Sequence, residues 1–430
     1  MNRRLLVLAG LLLAPLAHAG AVLLDGADLY TVSHGVITRG QLLIVDGRIA
    51  ALGTQVRAPA DALRVDLRGQ RVYPGLLAAN SVLGLTEIEA VRATDDRAEA
   101  GAINPNARAL AAVNADSELI LVARANGVLS VHVVPQPGRT GVLSGQSAVI
   151  SLDGWTWEQM RVREPAGIHL FWPESEIPDW APAALAERMR KQLQQRRDAL
   201  ERALHDVRAY AAARGAGAGS APDLRWEALL PALDGRVPLF IHADGAVVLR
   251  EALAFIDRER VGRPVLVGGA DAWRIADVLA ARRIPVILGP ANALPRHRGD
   301  AIDAAYRIAA RLAQAGVRIA IANAATAMAA ANERNLPYQA ASYVAYGLDP
   351  ALALRAITLT PAELLGVADR LGSLDAGKDA TLFVADGDIL DARTQVRQAW
   401  IRGRPVDLQT RQTRLYQRYR QKYAPAPDQG

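Results

Sequence analysis

Histidine and acidic side chains are the groups with which this chain could bind a metal ion or transfer a proton. His242 follows the apolar run Val237–Ile241, and Asp244 lies two residues further on. Asp271 and His297 occur later, in predicted loops. Imidazoles and carboxylates are zinc ligands and general bases, but the spacing of these residues matches no metal motif. A metal site built from them is therefore an alternative that the sequence leaves open.

Nucleophilic catalysis has little support in the sequence. The chain has no cysteine, so neither a thiolate nucleophile nor a thiolate metal ligand is available. It also has no Gly-any-Ser-any-Gly elbow, and a structural turn accounts for 144–147, Ser-Gly-Gln-Ser. His132 lies in a predicted strand beside the loop 135–145 and is the remaining histidine that we consider for a pocket.

The elements that must position these residues alternate regularly along the chain. Strand 237–241 precedes a helix over 247–258, strand 264–267 precedes a helix over 271–281, and strand 284–288 follows. Alternating strands and helices indicate a parallel sheet, and about 280 residues of this pattern predict an α/β fold with a (β/α)8 TIM-type barrel. The loops at the carboxyl ends of its strands would carry any active site.

Both ends of the chain have a different pattern, with short apolar runs separated by turn residues. Asp46-Gly47 between two such runs predicts a hairpin. We expect the two ends to build one small β-sandwich. The predicted organisation is a signal peptide (1–19), a composite β-sandwich (20–73 plus 372–407), a barrel (74–371) that includes a long amphipathic helix (182–214) and a linker (215–222), and a C-terminal basic helix or tail (408–430).

Composition and charge restrict the partners and the compartment. The chain is 51% hydrophobic and 22% charged, as expected of a globular protein with a large core. Arg3 and Arg4, the apolar run Leu5–Leu16 and Ala17-His18-Ala19 predict a secretory signal peptide and a periplasmic location. Its removal lowers the formal charge from +6 to +4, because two arginines leave, and so nucleic acid is not an expected partner. No membrane span is expected after cleavage.

Several short motifs, in order along nearly the whole chain, resemble those of one family. Gly-Arg-Ile at 47–49 and Pro-Gly-Leu at 74–76 resemble the start of an amidohydrolase-superfamily barrel. Ala-Ile-Thr at 356–358, Thr-Pro-Ala at 360–362 and Gly-Ser-Leu at 372–374 resemble its end. The sequence is most similar to the imidazolonepropionase-like branch. The resemblance implies a metal-dependent barrel that hydrolyses non-peptide C–N bonds.

The same resemblance implies a ligand set that this sequence largely lacks. The family supplies histidines after strands 1, 5 and 6, an aspartate after strand 8 and, in some branches, a lysine after strand 4. His242 occupies the strand-5 position, and Ser151 aligns loosely with the lysine. The degenerate positions are Asn80, Val82, Gly268, Asn323 and Ala324. One neutral imidazole does not hold a catalytic zinc, which needs three protein ligands.

We therefore expect a pseudoenzyme without confident catalytic residues or cofactor, which works as a binding or accessory subunit. An active C–N hydrolase with an unconventional site around His242 is the alternative, and only this alternative needs a divalent, zinc-like ion. Asp244, Asp271 and His132 are the residues expected to line a pocket. A small molecule in the barrel mouth, an active amidohydrolase relative or a second copy of the chain are the expected partners.

Overall fold

The chain folds around two eight-stranded sheets. A computed structural model describes residues 20–173, 177, 180–217 and 221–423, so the predicted signal peptide lies outside the described residues. The strands are β1 Val22–Tyr30, β2 Val36–Val45, β3 Arg48–Gly53, β4 Leu63–Asp66, β5 Arg71–Pro74, β6 Leu76–Ser81, β7 Val128–Val133, β8 Leu143–Ser151, β9 Arg161–Phe171, β10 Leu239–Ala243, β11 Pro264–Gly268, β12 Val286–Leu288, β13 Ile319–Ile321, β14 Leu382–Ala385, β15 Val396–Ile401 and β16 Arg404–Pro405.

The α-helices lie mainly between the strands of the second sheet. They are α1 Glu118–Arg124, α2 Trp157–Met160, α3 Ala183–Gly215, α4 Leu224–Leu233, α5 Ala246–Glu259, α6 Ala276–Ala281, α7 Ala304–Gln314, α8 Ala327–Ala331, α9 Leu336–Ala345, α10 Pro350–Ala356, α11 Leu359–Leu364 and α12 Arg411–Lys422. Within the described part of the chain, no helix is both long and apolar enough to cross a bilayer.

The first sheet combines both ends of the chain in the order β16-β15-β14-β5-β1-β2-β3, with β4 paired to β1. β14 runs antiparallel to β5, which places the C-terminal strands beside the N-terminal ones. Asp46 and Gly47, both at positive φ, form the turn between β2 and β3. The predicted sandwich strands are thus hydrogen-bonded into a single sheet.

The second sheet is the predicted barrel, in the order β13-β12-β11-β10-β9-β8-β7-β6. Strands β9 to β13 and the pair β6 and β7 run parallel. β8 runs antiparallel to both neighbours, which the regular (β/α)8 pattern did not predict. The fourth strand is therefore β9. The alignment of Ser151 with the family lysine is wrong, because Ser151 lies at the end of a reversed third strand.

Strand alternation separates two apolar layers. Phe240, Val265, Val267, Ile287 and Ala320 pack together inside the barrel. Their neighbours along the strands belong to a larger cluster formed with the surrounding helices. The barrel is nearly closed, since β13 contacts β6. The backbone N–H of residue 77 on β6 donates to the carbonyl oxygen of residue 357, which follows α10, at 2.9 Å.

The predicted long helix is α3, and it packs on the barrel through its C-terminal half. Leu200, Leu204 and Val207 are buried there. Arg197 forms an ion pair with Glu251 of α5 at 2.9 Å. The helix thereby forms one wall above the carboxyl ends of the barrel strands.

Candidate functional site

His242, the retained family position, lies on β10 and faces the interior of the barrel. Its ring stacks on Phe171 of β9 with a centroid distance of 3.8 Å. Its Nε2 shares a hydrogen bond of 2.9 Å with Nδ1 of His169, also on β9. This hydrogen bond uses Nε2 of His242, so that nitrogen is not free to bind a metal ion.

His169 connects His242 to His132, so three imidazoles from β7, β9 and β10 lie together. His132 and His169 are fully buried, and their ring centroids are 5.3 Å apart. His132 Nδ1 donates to the carbonyl oxygen of Ala79 at 2.8 Å. Within the described structure, Nε2 of each of these two histidines has no hydrogen-bond partner. His132 thus lies inside the barrel, between Ala79 of β6 and the ring of His169.

Burial keeps all three rings neutral at neutral pH. It lowers the pKa of His132 to about 4. It also lowers the pKa of His242 to about 3, with a smaller contribution from charge repulsion by His132. The pKa of His169 falls well below its ordinary value for the same reasons. A neutral imidazole is a metal ligand, but Nε2 of His242 and Nδ1 of His169 are hydrogen-bonded to each other, and Nδ1 of His132 is hydrogen-bonded to Ala79.

The end of the first barrel strand offers little for metal binding. Asn80 is 9% exposed and Val82 is fully buried. Among the described residues, the Oδ1 atom of Asn80 has no hydrogen-bond partner. The register between β6 and β7 shifts between Ala78 and Ser81. An amide oxygen is a weak ligand for zinc and an isopropyl group is none.

The space beside Gly268, at the end of β11, is already filled by Asp244. A Cβ atom on residue 268 would lie 2.6 Å from Oδ1 of Asp244. Gly268 also has a φ of 94°, which favours glycine. Asp244 in turn accepts a hydrogen bond from the backbone N–H of Ala270 at 3.2 Å. A histidine at position 268 would therefore require both a side chain and the backbone to move.

Asn323, which follows β13, is engaged with a buried acid that the sequence gave no reason to select. Its Nδ2 donates to Oε1 of Glu333 at 3.0 Å. Ser81 at the end of β6 donates its Oγ–H to Oε2 of the same carboxyl group at 2.7 Å. Glu333 thus joins the first and last barrel strands. Burial raises its pKa to about 7, and the two hydrogen bonds offset only part of that effect.

A second group of polar residues lies at the rim, where Asp271, His297 and Asp300 bring their ligand atoms within 4.8 Å of one another. Asp271 Oδ2 is 2.9 Å from Nε2 of His297. The donor types suit a divalent ion. Arg274, however, donates to Oδ1 of Asp271 at 3.2 Å and also to Oδ1 of Asp300. An ion would have to bind beside this guanidinium.

Asp271 has structural partners that account for its burial. It is 1% exposed and accepts the backbone N–H of Ala246, the first residue of α5, at 3.1 Å. Burial alone would raise the pKa of Asp271, but hydrogen bonds from His297, Ala246 and Arg274 outweigh burial and lower it. The carboxylate is therefore ionised and held between a helix start, an arginine and an imidazole.

These arrangements decide which residues suit the metal ion that the fold family implies. At the barrel centre the family ligand positions do not fit, because His242 is the one histidine among them, is hydrogen-bonded to His169, and shares these positions with Asn80, Val82 and Asn323. At the rim, Asp271, His297 and Asp300 have the right donor chemistry and proximity. Arg274 already supplies the positive charge that an ion would bring.

A pocket of about 290 Å³ opens between the ends of β11 and β12. Asp244, Gly268 and Tyr343 contribute to its lining. Trp273 forms another wall and stacks under Arg274 and Arg311, with centroid distances of 4.2 and 4.5 Å. The pocket is at the lower end of the size range for small-molecule sites. Asp244 and Asp271, two of the residues expected in a pocket, are neighbours at this rim.

Comparison with known proteins supports the class that the barrel defines. The profile of the amidohydrolase family matches residues 275–408. A crystal structure of an amidohydrolase from Thermotoga maritima superposes with a TM-score of 0.78 at 27% identity and covers 90% of this chain and 99% of that one. A zinc-bound adenosine deaminase from Xanthomonas campestris, 18% identical with a TM-score of 0.52, covers 93% of this chain and 98% of its own, and it supports the fold alone.

A curated relative is similar over most of this chain. Amidohydrolase tasK of Hapsidospora irregularis is 25% identical over 408 residues, which are 86% of this chain and 39% of the fungal protein. This chain thus spans well under half of the length of that relative. Residues 275–408 carry an amidohydrolase family domain, and the chain has structural neighbours in the amidohydrolase superfamily. The predictions of an amidohydrolase family domain and of a barrel fold are confirmed, whereas the imidazolonepropionase-like branch stays a prediction.

Proposed function

We propose that this chain is an amidohydrolase-superfamily protein that does not use the metal-hydroxide mechanism at its barrel centre and works as a binding or accessory subunit. The observation that carries the proposal is the state of His242. Its Nε2 is bonded to His169 at 2.9 Å, while the neighbouring ligand positions hold an amide, an isopropyl group and a glycine. A catalytic zinc needs three protein ligands and one open position.

Two further groups of polar residues support the same proposal, because they are engaged in contacts between the strands of the barrel. Asn323 and Ser81 bind the carboxyl group of Glu333. Asp244 fills the space beside Gly268. A barrel preserved in this way still presents a rim pocket of about 290 Å³, in which a small molecule would bind without being hydrolysed.

The partner that this proposal implies is an active amidohydrolase relative. Export to the periplasm, where the two proteins would meet, stays a prediction from the N-terminal sequence. A second copy of this chain is the other predicted partner.

A second candidate function is an active hydrolase of C–N bonds, as family membership suggests. The specific observation in its favour is the proximity of Asp271, His297 and Asp300 at the same end of the barrel. This candidate replaces the earlier alternative centred on His242, whose ring nitrogen is bonded to His169. It requires an ion to bind next to Arg274, and so it ranks second.

Metal analysis of purified protein distinguishes these functions. The wild type and the variants His242→Ala and His297→Ala are produced with added zinc and manganese, and bound metal is measured by mass spectrometry. His205→Ala is the matched control, because His205 lies on α3 with a side chain 84% exposed. Circular dichroism confirms that each variant is folded.

We expect far less than one equivalent of metal in all four proteins. Near-stoichiometric metal that is lost in His242→Ala would contradict the proposal and restore a metal site at the barrel centre. Near-stoichiometric metal that is lost only in His297→Ala would contradict it in favour of the second candidate.

A further inference from the structure

The C-terminal helix α12 exposes the side of its surface that an amphipathic helix normally buries. Leu415, Tyr416, Tyr419 and Tyr423 recur at helical spacing, within a sector of about 100°. These side chains are 39%, 66%, 51% and 73% exposed, in that order. All twelve residues of α12 are described, and none of them is buried. The C-terminal basic helix predicted from the sequence is thus present, and the exposure shows that its apolar side is not packed against the protein.

The opposite, polar side of α12 faces the protein. Thr413 and Gln417 line a crevice against β15 and β16. Arg414 lies 3.6 Å from Glu118 at the start of α1. The helix begins in a capping box in which the Thr410 and Thr413 side chains each bond the other's backbone. The contacts therefore orient the aromatic side outward on a helix with a defined start.

The charge of α12 indicates the chemistry of what covers it. The helix has five basic residues and no acidic one. Two copies of such a helix would repel each other, which argues against a second copy of the chain. An apolar and tyrosine-rich side flanked by arginines is typical of helices that lie in the interface of an anionic bilayer, where tyrosine rings occupy the headgroup level.

We propose that α12 binds the surface of anionic phospholipid membranes, with Leu415 and its three tyrosines in the interface and its basic residues against the lipid phosphates. This attachment is peripheral and needs no membrane-spanning segment. It also does not depend on whether the barrel is catalytic. It places the barrel at a lipid surface rather than free in solution.

Vesicle co-sedimentation of the full chain tests this proposal. The probes are vesicles that contain phosphatidylglycerol and vesicles of phosphatidylcholine alone, at low and at high salt. We expect binding to the anionic vesicles only, with a marked loss at high salt because the interaction is screened. Replacing both Arg418 and Arg420 with glutamine is expected to weaken binding by about 30-fold. The triple variant Tyr416→Ser, Tyr419→Ser and Tyr423→Ser is expected to weaken it by about tenfold or more.

Two matched controls separate the role of α12 from general surface properties. Arg188→Gln with Arg190→Gln removes two exposed arginines at the same spacing from α3, and Trp155→Ser removes an aromatic residue that is 89% exposed elsewhere. Both controls should bind like the wild type. Because no residue of α12 is buried, its variants should also keep the wild-type thermal unfolding curve.

The proposal is overturned if the wild type stays in the supernatant with anionic vesicles, a result that would assign this surface to a protein partner. It is equally overturned if the triple tyrosine variant binds as well as the wild type, or if the α3 control loses as much binding as the α12 arginine variant.

Discussion

Replacing Glu333 with glutamine should change how the stability of the protein depends on pH. Glu333 is fully buried between Ser81 and Asn323, and burial raises its pKa to about 7, from an ordinary value of 4.5. In the folded protein the carboxyl group therefore holds its proton up to about pH 7, whereas in the unfolded chain it loses the proton above pH 4.5. Its contribution to stability is fully present below pH 4.5 and is lost as the pH rises through 7.

The rise of the Glu333 pKa from 4.5 to about 7 corresponds to about 3 kcal/mol of unfolding free energy, since a pKa difference of one is worth about 1.4 kcal/mol. Glutamine has a similar shape, accepts the hydrogen bond from Asn323 and does not titrate. Relative to wild type, Glu333→Gln should therefore gain about 3 kcal/mol of unfolding free energy between pH 4.5 and 8. The buried histidines act in both proteins alike and cancel in this difference.

Urea denaturation followed by tryptophan fluorescence, repeated across this pH range, measures the difference. Glu99→Gln is the control, because the Glu99 side chain is exposed, and its stability should follow the wild type at every pH. A difference between wild type and Glu333→Gln that stays constant from pH 4.5 to 8 would refute the reasoning, since it would mean that Glu333 has the same pKa in the folded and unfolded chains.

Three further predictions follow from the site. Gly268→Ala should destabilise the fold by about 2–4 kcal/mol, because of its φ of 94° and the contact with Asp244, and adding Asp244→Ala should recover part of this in thermal unfolding. The pKa of His132 is about 4 in the folded protein and 6.5 in the unfolded chain, so the unfolding free energy should fall as the pH drops from 6.5 towards 4. His132→Gln should reduce this fall by about 3 kcal/mol, as measured in acid titrations monitored by circular dichroism. Asp271→Asn should cost about 1–3 kcal/mol in urea denaturation, and the half-exposed His297→Gln clearly less; an equal cost would contradict the roles given to the two residues.

Strand periodicity and turn residues were sufficient to predict the barrel and the hairpin at Asp46-Gly47, because both patterns are local. The reversal of β8 could not be predicted, since an apolar strand has the same pattern in either direction. Ser151 was therefore aligned with the lysine position after the fourth barrel strand, although it lies at the end of the third, β8. The fourth strand is β9, which carries His169. Strand direction depends on which neighbours pair, and a single sequence does not contain that information locally.

Sequence reasoning identified only those residues of the candidate site that follow the end of a predicted strand. His242 was found in this way, and Asp244 and Asp271 were placed near the same rim. Glu333 was missed because a glutamate side chain is usually exposed, and only the fold buries this one between two strands. The role of Arg274 was missed because its two carboxylate partners lie 3 and 26 residues away.

The link through Glu333 has a consequence for how such a protein could evolve. In the ligand set that the family resemblance implies, histidines after the first strand and an aspartate after the last strand would share an ion, which would connect the two edges of the barrel. In this protein, Ser81 at the end of the first strand and Asn323 after the last strand both donate hydrogen bonds to the buried carboxyl group of Glu333, which connects the same edges. Hydrogen bonds within the chain therefore connect these edges, and a contact of this kind would keep the barrel closed while the implied metal ligands were replaced one after another.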